Sequence, residues 1–312
     1  MQENTRADVP LHGRERTVRV AGDLHLWAEE FGDPEHPAVL LVMGAGAQGI
    51  QWNDGFVRRL TAGGRRVIRY DHRDTGLSST VDFAAHPYAV ADLASDALHV
   101  LDAFGVAEAH LVGVSLGGII AQRLAVTDPR RVRTLTSISS TPLGTDTAGA
   151  VQRALADLPP LPGHLPPPTS ELLTVLTTSL PSPGASVEEY LTARLPLWRV
   201  LHGEVLPFLP DEYRAMERRA YERARDPQAA LNHSLAGASD SDRAGDLAAV
   251  TAPALVLHGT EDPMFPPAHG EATAAAIPGA RLVVIEGMGH TLPSALDQRL
   301  SEEVLSHTAL QE

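Results

Sequence analysis

The stretch His110–Ala125, "HLVGVSLGGIIAQRLA", decides the fold. An apolar run reaches a lone hydroxyl, Ser115, with glycine two residues before it and two after, and a helical pattern follows at once. Gly113-Val114-Ser115-Leu116-Gly117 thus has the spacing of a nucleophile elbow, G-x-S-x-G, in its strand-to-helix context. The glycines have a physical reason. The serine occupies a strained turn, and its neighbours two positions away pack too closely for side chains. Such a turn exposes the hydroxyl, while the following helix offers amide donors and its positive dipole end to a developing anion. A plain glycine-eased turn would read the same over five residues, so the motif needs partners.

Outward from this stretch the chain alternates. Before it, "TVRVAGDLHLWAEE" reads as a hairpin turning at Ala21-Gly22-Asp23, and "PAVLLVMG" (37–44) is a continuous apolar run suited to a strand buried on both faces. The helix "DGFVRRLTAGG", the strand "RRVIRYD" and the helix "AVADLASDALHVLDAFG" lead to the elbow; "VRTLTSISS" follows as a strand. This rhythm is that of a mostly parallel sheet flanked by helices. It breaks near Pro142. Residues 158–168, "LPPLPGHLPPP", suit neither a regular helix nor a central strand, whereas "SVEEYLTARLPLWRVLHG" and "PDEYRAMERRAYERARD" look helical. Strand–helix–strand resumes at "APALVLHGTED", "GEATAAAI" and "ARLVVIEG". The expected organisation is a core of residues 1–142 and 244–312 interrupted by a helical cap, 143–243, lying over the strand ends where open sheets bind ligands.

A serine hydroxyl needs a base and an orienting carboxylate, which in this topology follow in the order Ser, Asp or Glu, His. Asp262 follows the strand "ALVLHGTE" and His290 follows "LVVIEGMG", both at strand C-terminal ends on the edge that carries Ser115. With 14 histidines in the chain, position has to discriminate. Gly287 and Gly289 free the loop before His290, whereas His258, inside a strand end, reads as structural. Glu261 is the rival carboxylate, and Asp262 is preferred because Asp262-Pro263 begins the turn.

A second motif competes. Gly44-Ala45-Gly46-Ala47-Gln48-Gly49 spells G-x-G-x-x-G after a strand, and Asp71 ends the next strand, the arithmetic of a nicotinamide-dinucleotide fingerprint in an NAD(P)-dependent oxidoreductase. However, "QGIQWNDG" intervenes before the helix, so these glycines do not open one. The same loop serves a hydrolase better. Backbone N–H groups of Gly44 or Ala45, with that of Leu116, form an oxyanion hole.

Composition bounds the partners. Acidic residues outnumber basic ones 39 to 25, a net charge of −14, which disfavours nucleic acid and anionic membranes. The chain has no cysteine, hence no disulfide, thiol nucleophile or thiolate metal site. The polar opening, "MQENTRADVPLHGRERT", and the lack of any span-length apolar run lead to the expectation of a cytoplasmic protein. Acyl transfer through a serine is expected to need no metal or organic cofactor.

The stretches "LLVMG", "RVIRYDHRDTGLSSTVDFAAHPY", "LVGVSLGG", "LWRVLHG", "DEYRAMERRA" and "IEGMGHTLPS" together resemble the serine α/β-hydrolases related to aclacinomycin methylesterase, which tailor anthracyclines. The resemblance runs from the first hairpin to the last helix. It implies an α/β-hydrolase fold, Ser115 as nucleophile, His290 as base and Asp262 as its partner. It also implies hydrolysis of an apolar small-molecule ester, a polyketide methyl ester, to the acid and methanol. This sequence departs from the family at Ala45, where glycine is favoured, and at Leu116, where methionine is favoured. Esterases of other natural products, including macrolides, share the "VMG…Q…W" opening. Trp52 and Trp198 are candidates to line the pocket for a flat ring. "YDHRDTG" (70–76) is given no catalytic role; its charges are expected to tie the loop, with Gly76 easing the turn. A non-catalytic small-molecule receptor on a hydrolase scaffold remains the reading of a different class.

Overall fold

The computed structural model describes residues 11–179, 184–239 and 246–309. β1 (Arg14–Arg19) and β2 (His25–Phe31) pair antiparallel around a turn in which Gly22 has φ +53°, as the alternating pattern requires. β3 (Ala38–Val42) is the first central strand; Val39, Leu40, Leu41 and Val42 are fully buried. Each such side chain contributes about 1.5–3 kcal/mol of burial free energy, enough to hold this strand at the sheet centre.

Next come α1 (Asp54–Ala62), β4 (Arg66–Tyr70), α2 (Val90–Ala103), β5 (Ala109–Val114), α3 (Leu116–Thr127) and β6 (Val132–Ile138). The chain then runs through α4 (Thr147–Leu155), α5 (Ser170–Thr178), α6 (Val187–His202), α7 (Pro210–Arg223) and α8 (Asn232–Ser239). It returns to the sheet at β7 (Ala254–Gly259), and α9 (Ala268–Ala276), β8 (Arg281–Ile285) and α10 (Asp297–Thr308) complete it. The strand order is β1-β2-β4-β3-β5-β6-β7-β8; β3 to β8 are mutually parallel and only β1–β2 and β2–β4 pair antiparallel. This is the mostly parallel, helix-flanked sheet that the alternation predicts. α1 and α10 bury Phe56, Leu60, Leu300 and Val304 against one face, while α2 and α3 bury Leu93, Val100, Ile120 and Leu124 against the other.

The register aligns the site. Val42 lies opposite Gly113, Gly113 opposite Ser137, and Gly259 opposite Ile285. The loops after β3, β5, β7 and β8 therefore leave the sheet along one edge. The segment between β6 and β7 packs on those loops: Leu201 O accepts from His290 N, and Thr169 N donates to Pro263 O. The Pro-rich residues 158–168 form no helix or strand, as expected. Helices α4, α5 and α8 were not legible in the sequence, although Asp146 and Thr169 cap α4 and α5 with their side chains. The expected boundary at 243–244 and the ends of the expected core, 1–10 and 310–312, lie outside the described residues.

Candidate active site

Ser115 links β5 to α3 at φ +53°, ψ −119°, a conformation that side-chain-bearing residues rarely adopt. The surrounding glycines explain how the strain is accommodated. A Cβ on Gly113 would lie 2.1 Å from Gly117 O, and one on Gly117 would lie 2.0 Å from Val42 O. Only hydrogen fits at either place, so strand and helix close on each other and push Ser115 outward. The serine backbone is held on both sides, since Ser115 N donates to Ile138 O (2.9 Å) and Ser140 Oγ donates to Ser115 O (2.8 Å).

The structure brings Ser115, His290 and Asp262 together. His290 Nε2 lies 3.1 Å from Ser115 Oγ, and its Nδ1 lies 2.9 and 3.0 Å from the two oxygens of Asp262. A carboxylate accepts, so Nδ1–H donates and Nε2 is left to take the hydroxyl proton. Asp262 is itself fixed: Met264 N and Phe265 N both donate to Oδ1 at 2.9 Å. Its side chain is fully buried, which keeps water from competing for the imidazole. Glu261 does not share this position; it hydrogen-bonds through its backbone to Met288 O.

Phe265 meets the His290 ring edge-on, with ring centroids 5.6 Å apart. Gly289 lets α6 approach, because a Cβ there would sit 2.3 Å from Leu201 O. His258 is structural, as read from the sequence. Burial pushes its pKa down, its Nε2–H donates to Phe265 O (2.7 Å), and it stays 3.8 Å from Asp262 as a neutral neighbour.

The early glycine loop closes over the serine. Gly44 comes so near that a Cβ on it would be 3.3 Å from the Ser115 Cβ. Leu116 opens α3, where an amide has no intrahelical acceptor. Among the described residues, none accepts the N–H of Gly44, Ala45 or Leu116. Gly44, next to Ser115, and Leu116, directly after it, thus leave backbone N–H groups without an acceptor near the hydroxyl.

The dinucleotide reading of this loop does not hold. The glycines lead into a short turn, Gly49–Gln51, and α1 starts only at Asp54. Asp71 is buried and already occupied, accepting from Gly49 N (2.8 Å), Leu77 N (3.0 Å) and Arg223 (2.5 Å). The "YDHRDTG" charges tie the loop, as expected: Arg73 pairs bidentately with Asp96, Asp74 accepts from Tyr88, and Gly76 takes φ +55°.

Trp52 corrects the expectation that it lines the pocket. The residue is 1% exposed and stacked on Phe56 within the buried cluster that includes β3 side chains, as a packing residue. Trp198 is half-buried between α6 and α7, donating from its indole nitrogen to Glu217 (2.6 Å) and stacking on Tyr213. The groove between residues 80–84 and 226–235 contains neither Ser115 nor His290.

Sequence reasoning missed several residues that hold this arrangement. Gln48 donates to Ala220 O (2.6 Å) and accepts from Arg223, His72 holds Met43 O (3.0 Å), and His233 accepts from Gly46 N (2.9 Å). None lies in a recognisable motif with its partner. Gln48 was visible only as a letter in the competing glycine motif.

An elbow serine on a parallel sheet, with histidine and aspartate presented from its later loops, defines a hydrolase class. Residues 37–293 match the family described as alpha/beta hydrolase fold, and the chain belongs to that family. Among its relatives are rhodomycin D methylesterase DnrP of Streptomyces peucetius and rhodomycin D methylesterase DauP of Streptomyces sp. (strain C5). Each is 42% identical over 286 residues, covering 92% of this chain and 95% of the relative. A solved hydrolase from Pseudomonas aeruginosa PA01 is 27% identical with a TM-score of 0.69, covering 95% of this chain and 98% of its own. The esterase EaEST from Exiguobacterium antarcticum, 19% identical with a TM-score of 0.73, covers 94% and 98% and shares the fold.

Proposed function

We propose that this chain is a serine carboxylic-ester hydrolase acting on the methyl ester of an anthracycline-like polyketide, releasing the free acid and methanol. The reading is supported above all by the hydrogen-bonded order Ser115–His290–Asp262. Likeness to two methylesterases along nearly the whole chain supports the substrate class.

Ser115 Oγ attacks the ester carbonyl as its proton passes to His290 Nε2, and the carbonyl oxygen becomes the oxyanion. Leu116 N–H, with Gly44 or Ala45 N–H, holds that oxyanion; each such donor is worth about 10²–10³ in rate. Asp262 keeps the imidazole in one tautomer and stabilises it when protonated. His290 then gives the proton to the departing methoxide, methanol leaves, and an acyl-serine remains. Water, deprotonated by the same nitrogen, attacks the acyl group and restores Ser115. Helices α4–α8 act as a cap over the strand ends and choose the substrate, a role supported by their packing on the loops that carry His290 and Gly46.

A fluorophosphonate probe followed by peptide mapping tests the chemistry: Ser115 alone among the serines should be labelled rapidly. A panel of polyketide methyl esters, scored for methanol release, tests the substrate. Slow, indiscriminate labelling would favour a non-catalytic receptor. Rapid labelling with no methyl ester turned over would overturn the substrate and leave the chemistry standing.

A further inference from the structure

The loop that carries Gly44 and Ala45 has an imidazole at each end. At the first, His72 Nε2–H donates to Met43 O (3.0 Å). At the second, Gly46 N–H donates to His233 Nδ1 (2.9 Å), while His233 Nε2–H donates to Arg73 O (2.8 Å). These partners fix the tautomer of His233, since an amide can only donate and a carbonyl can only accept.

The two rings meet edge-on, centroids 5.5 Å apart, and both are buried. Burial pushes both pKa values down, which keeps Nδ1 of His233 able to accept. Gly46 takes φ +71° and faces Ala230, so the loop bends towards the segment that delivers His233. His72 comes from the loop after β4, but His233 comes from α8, on the far side of the chain's excursion between β6 and β7.

We propose that His233 is a positioning residue for ester hydrolysis: by holding Gly46 N–H it sets the Gly44 and Ala45 amides against the oxyanion formed at Ser115. The inference rests on the oxyanion-hole role given to those amides above. Its physical basis is tolerance. Oxyanion donors work at 2.7–3.1 Å, and a displacement of about 1 Å can cost roughly a hundredfold. His233 touches neither substrate nor Ser115. It acts through the loop, and it makes the hole dependent on α8.

Two variants separate its two bonds. His233→Asn puts Oδ1 where Nδ1 stands and keeps the acceptor for Gly46, while losing the bond to Arg73 O. His233→Gln reaches Arg73 O but offers no acceptor at the Nδ1 position. With p-nitrophenyl acetate, the Asn variant should keep kcat within about threefold of the parent. The Gln variant should lose about ten- to a hundredfold in kcat, with KM changed less than threefold. Fluorophosphonate labelling of Ser115 should slow in the same order.

Equal losses in both variants, no loss in either, or the reverse order would overturn the role of His233. Absence of Ser115 labelling in the unmodified protein would instead overturn the hydrolase reading itself. If either variant fails to fold, amide hydrogen exchange in the unmodified protein decides. Gly46 N–H should be strongly protected, and exchange at a free-loop rate would overturn the inference.

Discussion

Arg223, at the last turn of α7, reaches into the core and pairs with the fully buried Asp71 at 2.5 Å. The same guanidinium donates to Gln48 and lies over the Trp27 ring, 4.1 Å from its centroid. One side chain therefore ties α7 to the loop after β4 and to the loop after β3. Burial raises the Asp71 pKa despite the arginine beside it, so the ionised carboxyl depends heavily on that partner. Arg223→Met should destabilise the fold by about 3–5 kcal/mol near neutral pH, the cost of leaving a buried charge unpaired. A carboxyl with a raised folded pKa contributes stability at low pH that is lost as pH rises, so the deficit should shrink on acidification. Adding Asp71→Asn should recover much of it. Chemical denaturation of the two variants at two pH values checks this, and a deficit independent of pH would show that packing, not charge, is at stake.

Ser115→Ala should lower turnover by about four to six orders of magnitude with little effect on substrate affinity. Asp262→Asn should cost about ten-thousandfold, because the amide favours the wrong imidazole tautomer. Glu261→Gln should change kcat/KM less than threefold, since its carboxylate makes no contact with His290. Steady-state kinetics on all three variants decides the assignment; a larger effect at Glu261 than at Asp262 would reverse it.

Gly117→Ala places a methyl group against Val42 O, which belongs to the backbone of a central strand and cannot yield. The expected outcome is a destabilisation of about 1–3 kcal/mol with turnover reduced well beyond the stability loss, because the elbow must open and carry Ser115 with it. Turnover measured below the melting transition separates the two effects. Parent-like kcat would mean that the close approach does not govern the serine.

Burial holds several histidines neutral: His72 is pushed down to about 3 and His110 to about 4, and His233, His258, His269 and His307 are lowered in the same direction. Each takes up a proton on unfolding at a pH where the folded ring does not. Their contribution is complete above about 6.5, the unfolded value, and is lost as pH falls from there towards 3–4. Asp297, raised by burial to about 6, and Asp71 and Asp96, raised by burial in the same direction, oppose this as pH falls, but they are three groups against six rings. Stability measured by urea unfolding should therefore drop steeply from pH 6.5 to 5. A flat profile would mean that these rings are accessible to protons in the folded protein.

Trp198→Ala should lower stability by about 2–4 kcal/mol, because the indole packs between α6 and α7 and its loss leaves a cavity there, while Glu217 keeps Arg194 beside it. Hydrolysis of p-nitrophenyl acetate should stay within about threefold, since the ring touches none of Ser115, Asp262 or His290. A further tenfold loss confined to a large polycyclic methyl ester would add a ligand contact to its structural role.

The elbow was legible because its physics is local. Gly113 and Gly117 are dictated by contacts within a few residues and one neighbouring strand, whereas Gly289 answers to the distant approach of Leu201 O. Chain order then sufficed to choose Asp262 and His290, because parallel strands deliver every following loop to one edge. The burial of Trp52 escapes the sequence for the opposite reason. Its sequence position, just after the glycine loop, is near the site, but the turn at Gly49–Gln51 directs its ring under the sheet. Burial is settled by the path of the chain in three dimensions, which no local pattern records. The same limit hid His233, Arg223 and Gln48. Each meets a partner more than 150 residues away, at 187 between His233 and Gly46 and 175 between Arg223 and Gln48. Periodicity, sterics and connection order make the strand–helix rhythm, the strained serine and its candidate partners legible in the residues alone. What joins α8 to the glycine loop after β3 emerges only on folding, because a hydrogen bond between a late helix and an early loop exists only once both have packed.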